Sequence, residues 1–257
     1  MRNASGNLLS GKAAVMIGFA LLPCLACAQG GRGGRGAPPT AKAAAPVDMT
    51  GYWESMITQN WRLRMISPAR GDYMGIPLSP AAKAVADAWD PAKDESAGLQ
   101  CKYYGAASIM TQPERLHITW QDDNTLQMDI DAGTQSRYFH FGDPPAGDKP
   151  SWQGDSVAVW QSRIGGRGGM TAGRFLKVST THLLPGYLRK NGVPYGSGAK
   201  LTEYYDLLPG DGTDQILIVT SIVEDPVNLD QPLILTAQFK KEADGSHWAP
   251  KPCSARW

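Results

Sequence analysis

Residues 115–141 read RLHITWQDDNTLQMDIDAGTQSRYFHF, three runs in which apolar and polar residues alternate. A period of two places the apolar members of each run on one face of a strand. The spacers between the runs then set the register. A three-residue turn at Asp122–Asn124 pairs Trp120 with Leu126, Ile118 with Met128 and Leu116 with Ile130, so the apolar side chains share a face. A two-residue turn at Ala132–Gly133 pairs Met128 with Arg137 and Leu126 with Phe139. In that register His117 and His140 point outward, with His117 opposite Asp129 and Arg115 opposite Asp131. Arg137 is the charged residue sent inward, on condition that no bulge at Gly133 shifts the last run by one.

The same reading extends over the rest of the chain. Strand-like runs occupy 156–162, 174–181, 199–206, 215–224 and 233–241, separated by turn residues. An opening strand starts at Gly51-Tyr52-Trp53, with Trp53, Ile57 and Trp61 on one parity. The exception is 79–99. Ser79-Pro80 reads as an N-cap followed by proline at the first helical position, Ala81–Trp89 is helical in composition, Asp90-Pro91 stops that helix, and a second short helix follows over Ala92–Leu99. Strands with no helix between them argue against a parallel α/β sheet. The expected fold is mostly β, an antiparallel barrel of about eight to ten strands with a small helical insertion near 79–99.

Residues 1–28 have the layout of a secretory signal: Arg2 and Lys12, an apolar run over 13–26, and Ala26-Cys27-Ala28 as a cleavage site. The run is short for a membrane span, and Cys27 is a candidate lipid anchor. Residues 29–48, rich in Gly, Ala and Pro, read as a disordered linker, and 49–257 as one barrel domain. The expected location is therefore periplasmic or extracellular. Without the signal the chain carries 23 Lys+Arg against 24 Asp+Glu, a balance that gives no electrostatic reason for nucleic acid or an anionic membrane as partner. Cys101 and Cys253 are the cysteines left, and in an oxidising compartment they pair most simply with each other.

Strong catalytic motifs are missing. HExxH, GxSxG, a Walker loop and a CxxC outside the signal are absent from the sequence, and His117, His140, His182 and His247 have no metal-ligand spacing. No cofactor or metal is implied. Gly165–Gly169 reads as a loop, since no helix follows it to bind phosphate. What stands out is polarity on the inward parity. Glu203 shares it with Leu201 and Tyr205, and His182 with Leu176 and Val178. A buried carboxylate needs a partner, and Arg137 is the candidate for Glu203. Such a pair either fixes the barrel's register or serves a ligand. Trp53, Trp61, Trp120, Phe139, Trp160 and Tyr205 are the aromatics positioned to line an interior pocket.

Trp152-x-Gly154-x-Ser156-x-x-x-Trp160, Leu201-Thr202-Glu203-Tyr204 and Val223-Glu224-Asp225-Pro226 together resemble a widespread, uncharacterised group of exported bacterial proteins. Gly51-x-Trp53 is similar to the opening motif of lipocalins, which implies an antiparallel barrel around an internal pocket. Neither resemblance carries an assigned reaction. The functional expectation is a small-molecule binder for an apolar or aromatic ligand. The alternative is a metal-independent lyase, isomerase or hydrolase with Glu203 or His182 as general base and Arg137 stabilising an oxyanion.

Overall fold

The computed structural model describes residues 38–143, 149–164 and 171–256. The signal-like segment, the Gly165–Gly169 loop and residues 29–37 of the linker lie outside these residues. Nine strands close into a barrel: β1 (Gly51–Met56), β2 (Arg115–Trp120), β3 (Thr125–Ile130), β4 (Gln135–His140), β5 (Asp155–Ile164), β6 (Thr171–Thr181), β7 (Lys200–Leu208), β8 (Ile216–Glu224) and β9 (Leu233–Lys241). Each strand pairs with its neighbours in the chain, and β9 returns to β1. The fold is mostly β, as the alternation implies, but the barrel is mixed rather than antiparallel throughout. The reason is arithmetic. Antiparallel neighbours alternate in direction, so an odd number of strands closes only with a parallel pair. That pair is β4 and β5, matched at Phe139↔Ser156 and His140↔Val157. The 14 residues 141–154 supply the long connection that a parallel pair requires.

The register read from the turns is the one observed. Trp120 faces Leu126, Ile118 faces Met128, Met128 faces Arg137 and Leu126 faces Phe139. His117 lies outside as expected, yet it stacks on Tyr52 with ring centroids 4.0 Å apart, while Gln127 and Ser136 bond Asp129. Inward positions fill the barrel axis. Trp53, Arg137, Phe139, Tyr205 and Phe239 are fully buried among Leu116, Ile118, Met128, Leu176 and Leu217.

Two ends cover this core. At one, α2 (Pro80–Asp87), a third helical segment over Pro91–Ser96, a 3-10 turn over Gln100–Tyr104, a short helix over Ala106–Ile109 and a hairpin of Gly186–Arg189 with Val193–Tyr195 form a cap. Ala86, Ala106, Ala107, Leu188 and Val193 pack there on Leu201, Val223 and Leu233. Ser79 caps its helix as the sequence suggests, accepting from the Ala82 amide, and Asp90, read there as a helix stop, also caps the helix that follows by accepting from the Ala92 amide. At the other end Trp120, Phe141 and Trp160 form a ring cluster. Residues 39–48 pack against it instead of forming the tether expected there, and residues 29–37 of that expectation lie outside the described residues. The Ala41 amide donates to Asn124 Oδ1 at 3.0 Å, Trp160 Nε1 donates to the Ala41 carbonyl at 3.2 Å, and Val47 packs on the core.

The opening strand is shorter than its parity suggested. It ends at Met56, Asn60 takes a left-handed φ of 52°, and α1 (Trp61–Met65) follows. Trp61 consequently lies 62% exposed instead of pointing into the barrel. Cys101 and Cys253 are joined in a disulfide across 152 positions of sequence. The bond anchors a C-terminal strand, Lys251–Pro252, that pairs in parallel with Ala132–Gly133. Gly133 is needed for two reasons: its φ is 67°, and a Cβ there would lie 2.5 Å from the Tyr104 ring and 2.9 Å from Cys253 Sγ. No helix among the described residues is long and apolar enough to cross a membrane.

Candidate functional site

Three residues carried the chemical expectation, and the fold brings two together. Arg137 from β4 and Glu203 from β7 meet across the barrel in a bidentate pair, Nη2 to Oε2 at 2.5 Å and Nη1 to Oε1 at 3.0 Å. Nη1 also donates to Tyr205 Oη at 3.3 Å and Nη2 to Thr180 Oγ1 at 3.4 Å, and Thr180 is bonded in turn to Ser156. The guanidinium lies 5.0 Å from the Phe139 ring. Burial alone would make the Arg137 cation easier to deprotonate, but the facing Glu203 charge outweighs it and raises the pKa well above the usual arginine value. Burial, then the Glu203 charge, pushes the Tyr205 phenol well above its ordinary range. Both partners of the pair are wholly buried and line none of five surface clefts among the described residues. The geometry is that of a closed structural link, with the carboxylate's oxygens committed to one guanidinium.

His182 does not join them. β6 stops at Thr181, and His182 adopts φ 54°, which turns its ring out to 66% exposure and onto Asp155, with Nδ1 2.7 Å from Oδ2. The inward parity expected for it ends one residue earlier. Of the aromatics named as lining, Trp53, Phe139 and Tyr205 are packed core, Trp120 and Trp160 are half-buried at the end covered by 39–48, and Trp61 is on the surface.

The sequence did not single out the most distinctive polar group. Arg64, on α1, is 5% exposed. Its Nε donates to the Thr111 carbonyl at 2.7 Å, while Nη1 and Nη2 are buried and find no hydrogen-bond partner among the described residues. The residue borders a cleft between α1, the 3-10 turn, the hairpin and the start of β9, lined on its apolar side by Leu63, Ile76, Leu188, Leu233 and Leu235. The cleft is narrow, with a cavity volume of about 40 Å³. No Asp or Glu lines it. Arg189 lies on the same wall, but its guanidinium is taken up by the carbonyls of Asp72 and Met74. The Asp72 carboxylate is bonded by Arg62 at 3.1 Å. Burial lowers the Arg64 pKa, the direction expected of a cation with no counter-ion beside it. Among the described residues no cluster of His, Cys, Asp and Glu is arranged to hold a metal.

Burial, followed by the hydrogen bond and charge of Asp131, pushes Glu114 up to about 7 against the opposing pull of Lys251 and Lys190. A carboxyl whose folded pKa exceeds its unfolded value favours the native state in its protonated form. That contribution is complete below about pH 4.5 and is lost as pH rises through about 7. Glu114→Gln is therefore expected to leave stability at pH 4 unchanged and to raise it at pH 8, by roughly 1–2 kcal/mol once solvent screening is allowed for. Urea titrations at the two pH values check this; equal shifts at both would contradict it.

Comparison with known proteins finds no matching family model, no matching curated protein and no matching solved structure.

Proposed function

We propose that the chain is an exported barrel protein that binds a small, largely apolar molecule, and that the molecule sits in the cleft beneath α1 rather than on the barrel axis. The observation that carries this reading is the five-residue aliphatic wall of Leu63, Ile76, Leu188, Leu233 and Leu235 along an open cleft. Binding sites combine such walls with a few polar groups that fix orientation. The axis itself is occupied by Trp53, Arg137, Phe139, Tyr205 and Phe239. Export accords with the Cys101–Cys253 disulfide, a bond that persists in oxidising compartments.

Methyl NMR of the purified protein titrated with octan-1-ol is the direct test. Saturable shifts are expected at the methyls of Leu188, Leu233 and Leu235, and Leu235→Trp is expected to abolish them by filling the space. Shifts that do not saturate, or that spread evenly over the barrel, would overturn the proposal.

A further inference from the structure

We infer that the cleft takes a ligand ending in a carboxylate, held end-on by the two free nitrogens of Arg64. The inference rests on the cleft being the binding site and names the chemical class of what occupies it.

The argument begins with the cost of the arrangement. A guanidinium is charged at any ordinary pH, and burying one without hydrogen bonds to its outer nitrogens is among the more costly things a fold can do. Arg137 shows how this chain handles a buried arginine whose partner is its own: both Nη atoms are matched to Glu203. Arg64 is nearly as deeply buried and has Nε fixed on the Thr111 carbonyl, while Nη1 and Nη2 are left over. Among the described residues no acid lines the cleft wall, and the Asp72 carboxylate is engaged by Arg62. Residues 1–37 contain no Asp or Glu at all.

The shape of the vacancy selects the anion. Two N–H groups on the edge of a planar fork match the two oxygens of one planar carboxylate. A phosphate would bring further charged oxygens, and the second cation on the wall, Arg189, is committed to the Asp72 and Met74 carbonyls. The narrow space beside Arg64 favours a carboxylate on a slim stem, whose apolar remainder would run along Leu188, Leu233 and Leu235.

The test compares octanoate with octan-1-ol and octyl phosphate, each titrated into the full protein at neutral pH and followed by the same leucine methyls. Octanoate is expected to bind at least about tenfold more tightly than octan-1-ol, the factor a charge-assisted hydrogen bond provides. Arg64→Gln should remove that difference while octan-1-ol still binds, and Arg64→Lys, which keeps a charge without the fork, should restore part of it. Equal binding of octanoate and octan-1-ol, or tighter binding of octyl phosphate, would overturn the carboxylate inference and leave the cleft as a site. Failure of all three to shift the leucine methyls would overturn the cleft itself. The wild-type comparison decides the matter even if an Arg64 variant fails to fold.

Discussion

Glu203→Gln is expected to destabilise the barrel by about 3–5 kcal/mol, the usual consequence of removing one partner from a buried ion pair. The reason lies in what stays behind. Glutamine keeps the size and some hydrogen bonding of the glutamate, but Arg137 remains charged, wholly buried and without a counter-ion. Thr180 and Tyr205 each offer it one oxygen, at 3.4 and 3.3 Å, and neither carries a charge at neutral pH. For a domain of this size the loss corresponds to a fall in melting temperature on the order of 10 °C. The double variant Arg137→Met/Glu203→Leu should behave differently, close to wild type or above it, because an apolar pair of similar volume carries no desolvation penalty. Urea denaturation of the three proteins gives the answer. A single variant within about 1 kcal/mol of wild type would show that the pair is not the closed link its geometry describes.

The second large effect concerns the chain's C-terminal end. Cys101→Ser/Cys253→Ser is expected to cost about 2–5 kcal/mol, because the disulfide shortens a loop of more than a hundred residues in the unfolded ensemble. The damage should also be local. Without the bond, the Lys251–Pro252 strand is held by its short pairing with Ala132–Gly133, by the Ser254 amide on Tyr104 Oη at 3.3 Å, and by Arg256 on Glu95 at 2.8 Å. The variant's C-terminus should become a substrate for carboxypeptidase under conditions where the oxidised protein resists it. Unchanged stability together with unchanged resistance would contradict both parts.

How much of this was readable beforehand depends on the range of the interaction. Local alternation and turn length placed Leu116, Met128 and Phe139 on one face and predicted an inward Arg137, and the structure reproduces that register residue by residue. Charge bookkeeping then matched Arg137 to Glu203, because a buried carboxylate has few candidates in a sequence this sparing of inward polarity. The failures have a common cause. At Asn60 and at His182 a single left-handed residue ends a pattern that alternation would have continued, so Trp61 and His182 were placed on faces they do not occupy. Asn and His both tolerate that conformation better than most residues, a weak signal present at each position. Residues 39–48 looked like linker because their composition is poor in large apolar side chains, yet docking needs only Val47 and a few backbone groups when Trp120 and Trp160 provide the surface. Arg64 was invisible for a different reason. Trp61-Arg62-Leu63-Arg64-Met65 looks like an exposed turn of helix, and only the packing of Thr111 and Tyr103 around it makes one of its two arginines a buried one.

The odd strand count has a mechanical meaning. A hoop is no stronger than its joint, and this one is joined where β4 and β5 share two matched positions, against nine between β7 and β8 and eight between β8 and β9. Arg137 stands on one lip of that joint. Its reach takes it past β5 to Thr180 on β6 and Glu203 on β7, so the charged link ties strands on opposite sides of the weakest seam. The pair acts as a cross-brace behind a short weld, and the strand number that makes the weld unavoidable also explains why a costly buried charge is placed there.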